Sequence, residues 1–173
     1  MLNKGGDNMK HKRKKTLPVE YIFVWVGDKR NLVDGIAPRV GKALGRQFRI
    51  RSMFCNASNI KETAQQLKEF KRDKEHNYKV IAFDVGFCNQ KCFMLRTKGI
   101  RPASFIDKQQ DIKIGDISYI INIDKVYEHL DKPNCHDLLL ENYIDKTVQK
   151  QVNRITSKLY KKLYTLILSL GEL

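Results

Sequence analysis

The chain has 173 residues, 42% of them hydrophobic and 30% charged, and 33 Lys/Arg against 19 Asp/Glu give a net charge of +14. That length suits one domain with a core of its own. The composition fits neither wholesale disorder nor a membrane-embedded protein, and no apolar run approaches the roughly 18 residues of a spanning helix.

Residues 1–17 carry six Lys/Arg and one Asp with almost no apolar content. They read as a basic, disordered tail ahead of a single α/β domain over 18–173. No apolar segment and no small-residue cleavage site follow the basic residues, so a secretory signal is not expected. Cys55, Cys88, Cys92 and Cys135 are scattered as free thiols of a cytoplasmic protein usually are. Cys88 and Cys92 are spaced C-x3-C, and no second pair completes a zinc site. A basic tail suits a nucleic-acid arm, an anchor on an anionic surface or a solvated lead-in. With one strong basic run and no aromatic-interleaved RNA motif, a protein or peptide partner is favoured over nucleic acid. No membrane partner is expected.

Along the chain, Tyr21-Ile-Phe-Val-Trp-Val26 is a continuous β-branched and aromatic run, the pattern of a strand buried on both faces. It stops at the turn signal Gly27-Asp28. A loop to Ala37 precedes a helix expected from about Pro38 to Gln47, with Pro38 at its first position. Phe48–Phe54 reads as a strand near an edge. Asn59 is expected to cap a helix reaching about Lys74, with Ile60, Ala64, Leu67 and Phe70 on its buried stripe. Tyr78–Phe83 is a further buried strand, ending at Asp84. Strands are also expected over Cys92–Thr97 and Ile117–Ile123, separated by an irregular stretch. Leu140, Ile144, Val148, Val152, Ile155, Leu159, Leu163, Leu166 and Leu170 form one apolar stripe on a long C-terminal helix. Strands alternating with helices predict a layered α/β domain with a mostly parallel sheet.

In such a sheet, ligands bind outside the carboxyl ends of the strands. Asp84, at the end of one strand, and Asp34, in the loop after the first, both fall there. Two carboxylates at one rim can share a proton for acid/base work, or hold a metal. Each also has an ordinary structural use, Asp84 opening a turn and Asp34 capping a helix. If Pro38 opens that helix, Ala37 takes the cap and Asp34 is released from it. His76, His129 and His136 show no metal spacing, and Thr97, Ser104 and Ser118 follow no nucleophile-elbow pattern. Without a Gly-x-Gly-x-x-Gly or a P-loop, no nucleotide cofactor is expected.

Val26-Gly-Asp-Lys-Arg-Asn-Leu-Val-Asp-Gly-Ile-Ala-Pro-Arg-Val-Gly41 resembles the first motif of the YyaC-type sporulation proteins and the related spore germination proteases. Val80-Ile-Ala-Phe-Asp84 resembles their second motif, and Ile114-Gly-Asp-Ile-Ser118 their segment before a late strand. Order and spacing agree from about Glu20 to Asn122. The resemblance implies a phosphorylase/hydrolase-like, three-layer α/β/α fold with a long C-terminal helix. It also implies peptide-bond hydrolysis by paired aspartates, Asp34 and Asp84. In the hydrogenase maturation proteases, which share that fold, acidic residues at these two places bind a metal. The implied setting is the cytoplasm of a spore-forming bacterium. Val33, Gly35-Ile-Ala-Pro38, Phe87-Cys88 and Arg101–Ile106 depart from the family pattern. A catalytically inactive member that binds through its basic surface is the alternative.

Overall fold

The computed structural model describes residues 17–86, 88, 93–102, 112–127 and 146–171. In chain order these form β1 (Val19–Val26), α1 (Ile36–Gly45), β2 (Arg51–Cys55), α2 (Ile60–Arg72), β3 (Asn77–Gly86), β4 (Phe93–Arg96), β5 (Ile117–Asn122), α3 (Asp124–Tyr127) and α4 (Lys146–Gly171). The five strands lie in the order β2-β1-β3-β5-β4. All neighbours are parallel except β4, which runs antiparallel to β5. The expected mostly parallel α/β sheet is therefore present, with β2 at an edge.

Alternation along the central strands sorts the core into two layers. Phe23, Trp25, Ile81, Phe83, Val85 and Ile121 face α1 and α4. Ile22, Val24, Val26, Val80, Ala82 and Ile120 face α2, with Ile60 and Leu67 packed over them. Helices thus cover both faces, which is why Ile22–Val26 of β1 and Val80–Phe83 of β3 read as unbroken apolar runs. On the first face, Trp25 stacks on Phe83 at 4.5 Å and Phe83 on Tyr119 at 5.3 Å. Helix α1 lies so close to this aromatic row that a Cβ on Gly41 would meet the Trp25 ring at 2.3 Å.

Several boundaries differ from the sequence expectation. Helix α1 starts at Ile36 after a Gly35 cap, so Pro38 is its third residue and Ala37 lies inside it. The missing N–H of Pro38 still costs nothing, because the first-turn amides have no intrahelical acceptor. Asn59 precedes α2 and its carbonyl accepts the Thr63 amide at 2.9 Å, but its side chain makes no cap bond. Its side chain accepts from the Asn56 amide at 2.7 Å and donates to the Phe54 carbonyl at 3.0 Å, fixing the β2–α2 loop instead. Strand β3 runs through Asp84 to Gly86, because Asp84, Val85 and Gly86 pair with Ile120, Ile121 and Asn122 of β5. In α4, Val148, Val152, Leu159, Leu163 and Ile167 are buried while Leu166 is exposed, so the stripe is narrower than expected. No helix among the described residues is long and apolar enough to cross a membrane. The tail expectation (save Leu17, which is exposed) and those on Leu140, Ile144, Cys92, Cys135, Ser104, His129 and His136 lie outside the described residues.

Candidate active site

The carboxyl rim of the sheet is built from the ends of β1, β2 and β3. Leaving β1, the chain turns at Gly27, whose φ of 127° is one that only glycine adopts without strain. A Cβ here would also stand 2.1 Å from the Asp34 carbonyl oxygen, so the loop folds back onto this glycine. The Gly27 amide donates to the Cys55 carbonyl at 2.9 Å, tying the rim to β2.

The loop that follows is held mainly by Asn31 and Arg39. Asn31 is buried, and its Oδ1 accepts from the amides of Val33 and Asp34, both at 2.9 Å. That is an Asx turn, local side-chain chemistry that Asn provides in loops. Arg39 reaches back from α1 and donates to the carbonyls of Asn31, at 3.1 Å, and of Leu32. Asp34 is thereby presented from a braced loop. It does not cap α1, which carries no side-chain cap; its Oδ2 accepts the Asp28 amide at 2.5 Å. Burial raises the Asp34 carboxyl above its ordinary range, the Asp28 amide opposes this, and the charge of Asp28 adds to it. Asp28 itself is held low by its 2.6 Å ion pair with Arg30.

Asp84 is fixed more rigidly, by the strand ladder rather than by a loop. It shares the α2 face of the sheet with Val80 and Ala82. Its neighbour on β5 is Ile120, which in turn pairs with Met94. On the other side lie Val26 and, beyond it, Cys55, which pair with each other one step past the Trp25–Phe83 match. An acid inserted into this apolar row loses hydration and gains little in return. One Oδ accepts the amide of Val85 at 2.8 Å. Burial, followed by the charge of Asp34, pushes its carboxyl up to about 7, against that single hydrogen bond. The two aspartates named from the sequence are therefore on adjacent elements of one rim and feel each other electrostatically.

Cys55 is the residue at this rim that sequence reasoning missed. Its thiol is buried and is pushed up to about 11 by burial, with the Asp84 charge adding and a hydrogen bond to Thr63 opposing. It stays a thiol near neutrality and is no ready nucleophile. Its approach to Asp84 follows from strand register, which spacing along the chain does not reveal. Asn31, also missed, could have been found from an Asn placed two and three residues before the amides it binds. Ser118 is buried and donates to the Lys98 carbonyl at 2.8 Å, a structural use. His76 lies at the opposite end of the sheet, between Asp73 at 3.1 Å and Glu20 at 3.2 Å.

No family model matches the chain, and no curated protein or solved structure is significantly similar to it. What fold and site define is a class: an α/β protein with a mostly parallel sheet and two interacting carboxylates at its carboxyl rim.

Proposed function

We propose that this chain is an aspartate-dependent peptidase of the spore-protease-like group, with Asp34 and Asp84 as its catalytic pair. The observation that carries the reading is Asp84, an acid built into the strand ladder at the ligand-binding rim, whose neutral form persists to about pH 7 beside a second carboxylate. Environments that separate the behaviour of two acids assign their roles. Asp34, the carboxylate of the pair, takes a proton from water as the water oxygen adds to the peptide carbonyl carbon. Asp84 gives its proton to the departing amine nitrogen as the C–N bond breaks. The products are a free acid and a free amine, and the two aspartates exchange protonation states and reset through solvent.

A metal-assisted version fits these residues less well. The described residues gather no group of three His, Cys, Asp or Glu side chains that would hold an ion.

The test is incubation with a mixed-sequence peptide library between pH 5 and 8, with new termini read by mass spectrometry. Cleavage is expected, falling as pH rises above about 7 where Asp84 ionises. Asp34→Asn and Asp84→Asn should each abolish it while remaining folded, because the pair acts as a unit. A folded wild-type chain that cuts nothing, or an Asp84→Asn chain that cuts at the full rate, would overturn the reading.

A further inference from the structure

Helices α1 and α4, on the other side of the sheet from α2, carry charge of one sign only. Helix α4 spans 26 residues, about 39 Å, without one Asp or Glu. Lys146, Lys150, Arg154 and Lys158 recur every fourth residue and are exposed, with Lys161 joining them. Successive members stand about 6 Å apart along the axis and drift about 40° around it. They share one sector, opposite the buried stripe of Val148, Val152, Leu159 and Leu163. Helix α1 flanks α4 in this layer, with Phe48 just beyond its end set edge-on to Tyr164 at 5.0 Å. It and its exit add exposed Lys42, Arg46 and Arg49, and the chain has no acid between Gly35 and Lys61.

Among the described residues, none of these eight cations makes an ion pair. The α2 layer is different. Glu62 and Glu69 interrupt its cations, and Lys71 is paired with Asp116. Eight unpaired like charges on one face repel one another, and a polyanion is the partner that relieves them.

We propose that the outer face of the α1–α4 layer is a binding surface for nucleic acid, engaged through its phosphate backbone. The side chains between the cations favour this partner over lipid. Asn153 and Ser157 are exposed in the same sector, and such amides and hydroxyls donate to phosphate oxygens. Leu168, in the last turn, is the one large apolar side chain this sector exposes among the described residues. A helix that lies in a membrane interface presents a whole apolar face to it, and here that face is spent on the protein core. Contacts of this kind carry no sequence information, so binding is indifferent to base sequence. The proposal rests on none of the rim chemistry.

The experiment is fluorescence anisotropy of the full chain with a short fluorescein-labelled DNA duplex of arbitrary sequence, repeated over a salt series. Lys150→Glu/Arg154→Glu/Lys158→Glu removes three cations from the face. Lys61→Glu/Lys68→Glu/Arg72→Glu makes the same charge change on exposed positions of α2. The α4 variant should bind at least about tenfold more weakly and lose about 3 from the slope of log K against log salt, at roughly 0.9 per phosphate contact. The α2 variant should keep the wild-type slope. Thermal midpoints of both should match wild type, since all six side chains are exposed. Equal losses in the two variants, or no duplex binding by wild type, would overturn the proposal. So would binding to phosphatidylserine vesicles without binding to the duplex.

Discussion

Replacing Asp84 with Asn keeps the side chain's shape and removes the one group whose protonation the rim most perturbs. The carboxyl moves from an ordinary value of 3.8 to about 7 on folding. At about 1.4 kcal/mol per pH unit, roughly three units amount to about 4 kcal/mol. The sign follows from proton counts. Between pH 4 and 7 the unfolded chain has released this proton while the folded chain retains it, so raising the pH favours unfolding. The stability tied to the neutral acid is fully present below pH 3.8 and lost progressively up to about 7. Urea denaturation of both proteins at half-unit steps from pH 4 to 8 isolates this effect, since other groups cancel in the difference. The Asn variant should be nearly as stable as wild type at pH 4 and more stable by about 4 kcal/mol at pH 8. Asp34→Asn should reduce the pH-dependent difference without abolishing it, because burial is the larger cause and the neighbouring charge the second. A difference that stays flat across the range, or a wild-type protein that gains on the variant as pH rises, would refute the placement of Asp84 in a desolvated row.

Two further outcomes test the scaffold. Leu159 is 1% exposed in the core beneath α4, so Leu159→Ala should cost about 2–5 kcal/mol in denaturant unfolding. A cost near zero would mean that the α4 stripe is not core. Asn31→Ala strips the acceptor from the amides of Val33 and Asp34, and should cost about 1–3 kcal/mol by the same assay. It should also lower any peptidase turnover, because Asp34 loses its brace.

The layered sheet was legible because its cause is local. Ile22–Val26 and Val80–Phe83 are apolar on both faces, and only a strand covered from both sides has that need. Asp34 and Asp84 were legible as rim residues for the same reason, since loop order and strand ends follow from the βαβ alternation. The end of β3 was not. Asp84 looks like a terminator in sequence, and only its pairing with Ile120 shows that the strand continues through it. Cys55 is the free thiol expected, but its place beside Asp84 is set by strand register, and Asn59 spends its side chain on the β2–α2 loop rather than on the helix it precedes. The basic face of α4 escaped a search for charge runs, since cations placed every fourth residue never form one. They gather only once the helix and its buried side are known.

Two aspartates on the α2 side of the same sheet show how differently its two ends treat a buried acid. Asp116 sits just ahead of β5, at the opposite end of β3 from Asp84. Burial pushes it up as well, but its carboxylate meets Lys71 and accepts the Val80 amide at 2.9 Å, while its own amide donates to the Val80 carbonyl at 2.8 Å. Those partners, with the charge of Lys79, outweigh burial, and the carboxyl ends below its ordinary value. Asp116 is a latch that holds the start of β3 beside β5. Among the described residues Asp84 meets no cation: it is buried with one amide at 2.8 Å, and a second carboxylate acts against it. A residue chosen for stability alone would resemble the first case, because a partnered acid stabilises the native state and an unpartnered one costs it. An acid held by a single amide and, among the described residues, by no cation, at the carboxyl end of a mostly parallel sheet and in line with a loop braced to present another, is the pattern expected where a proton has to move.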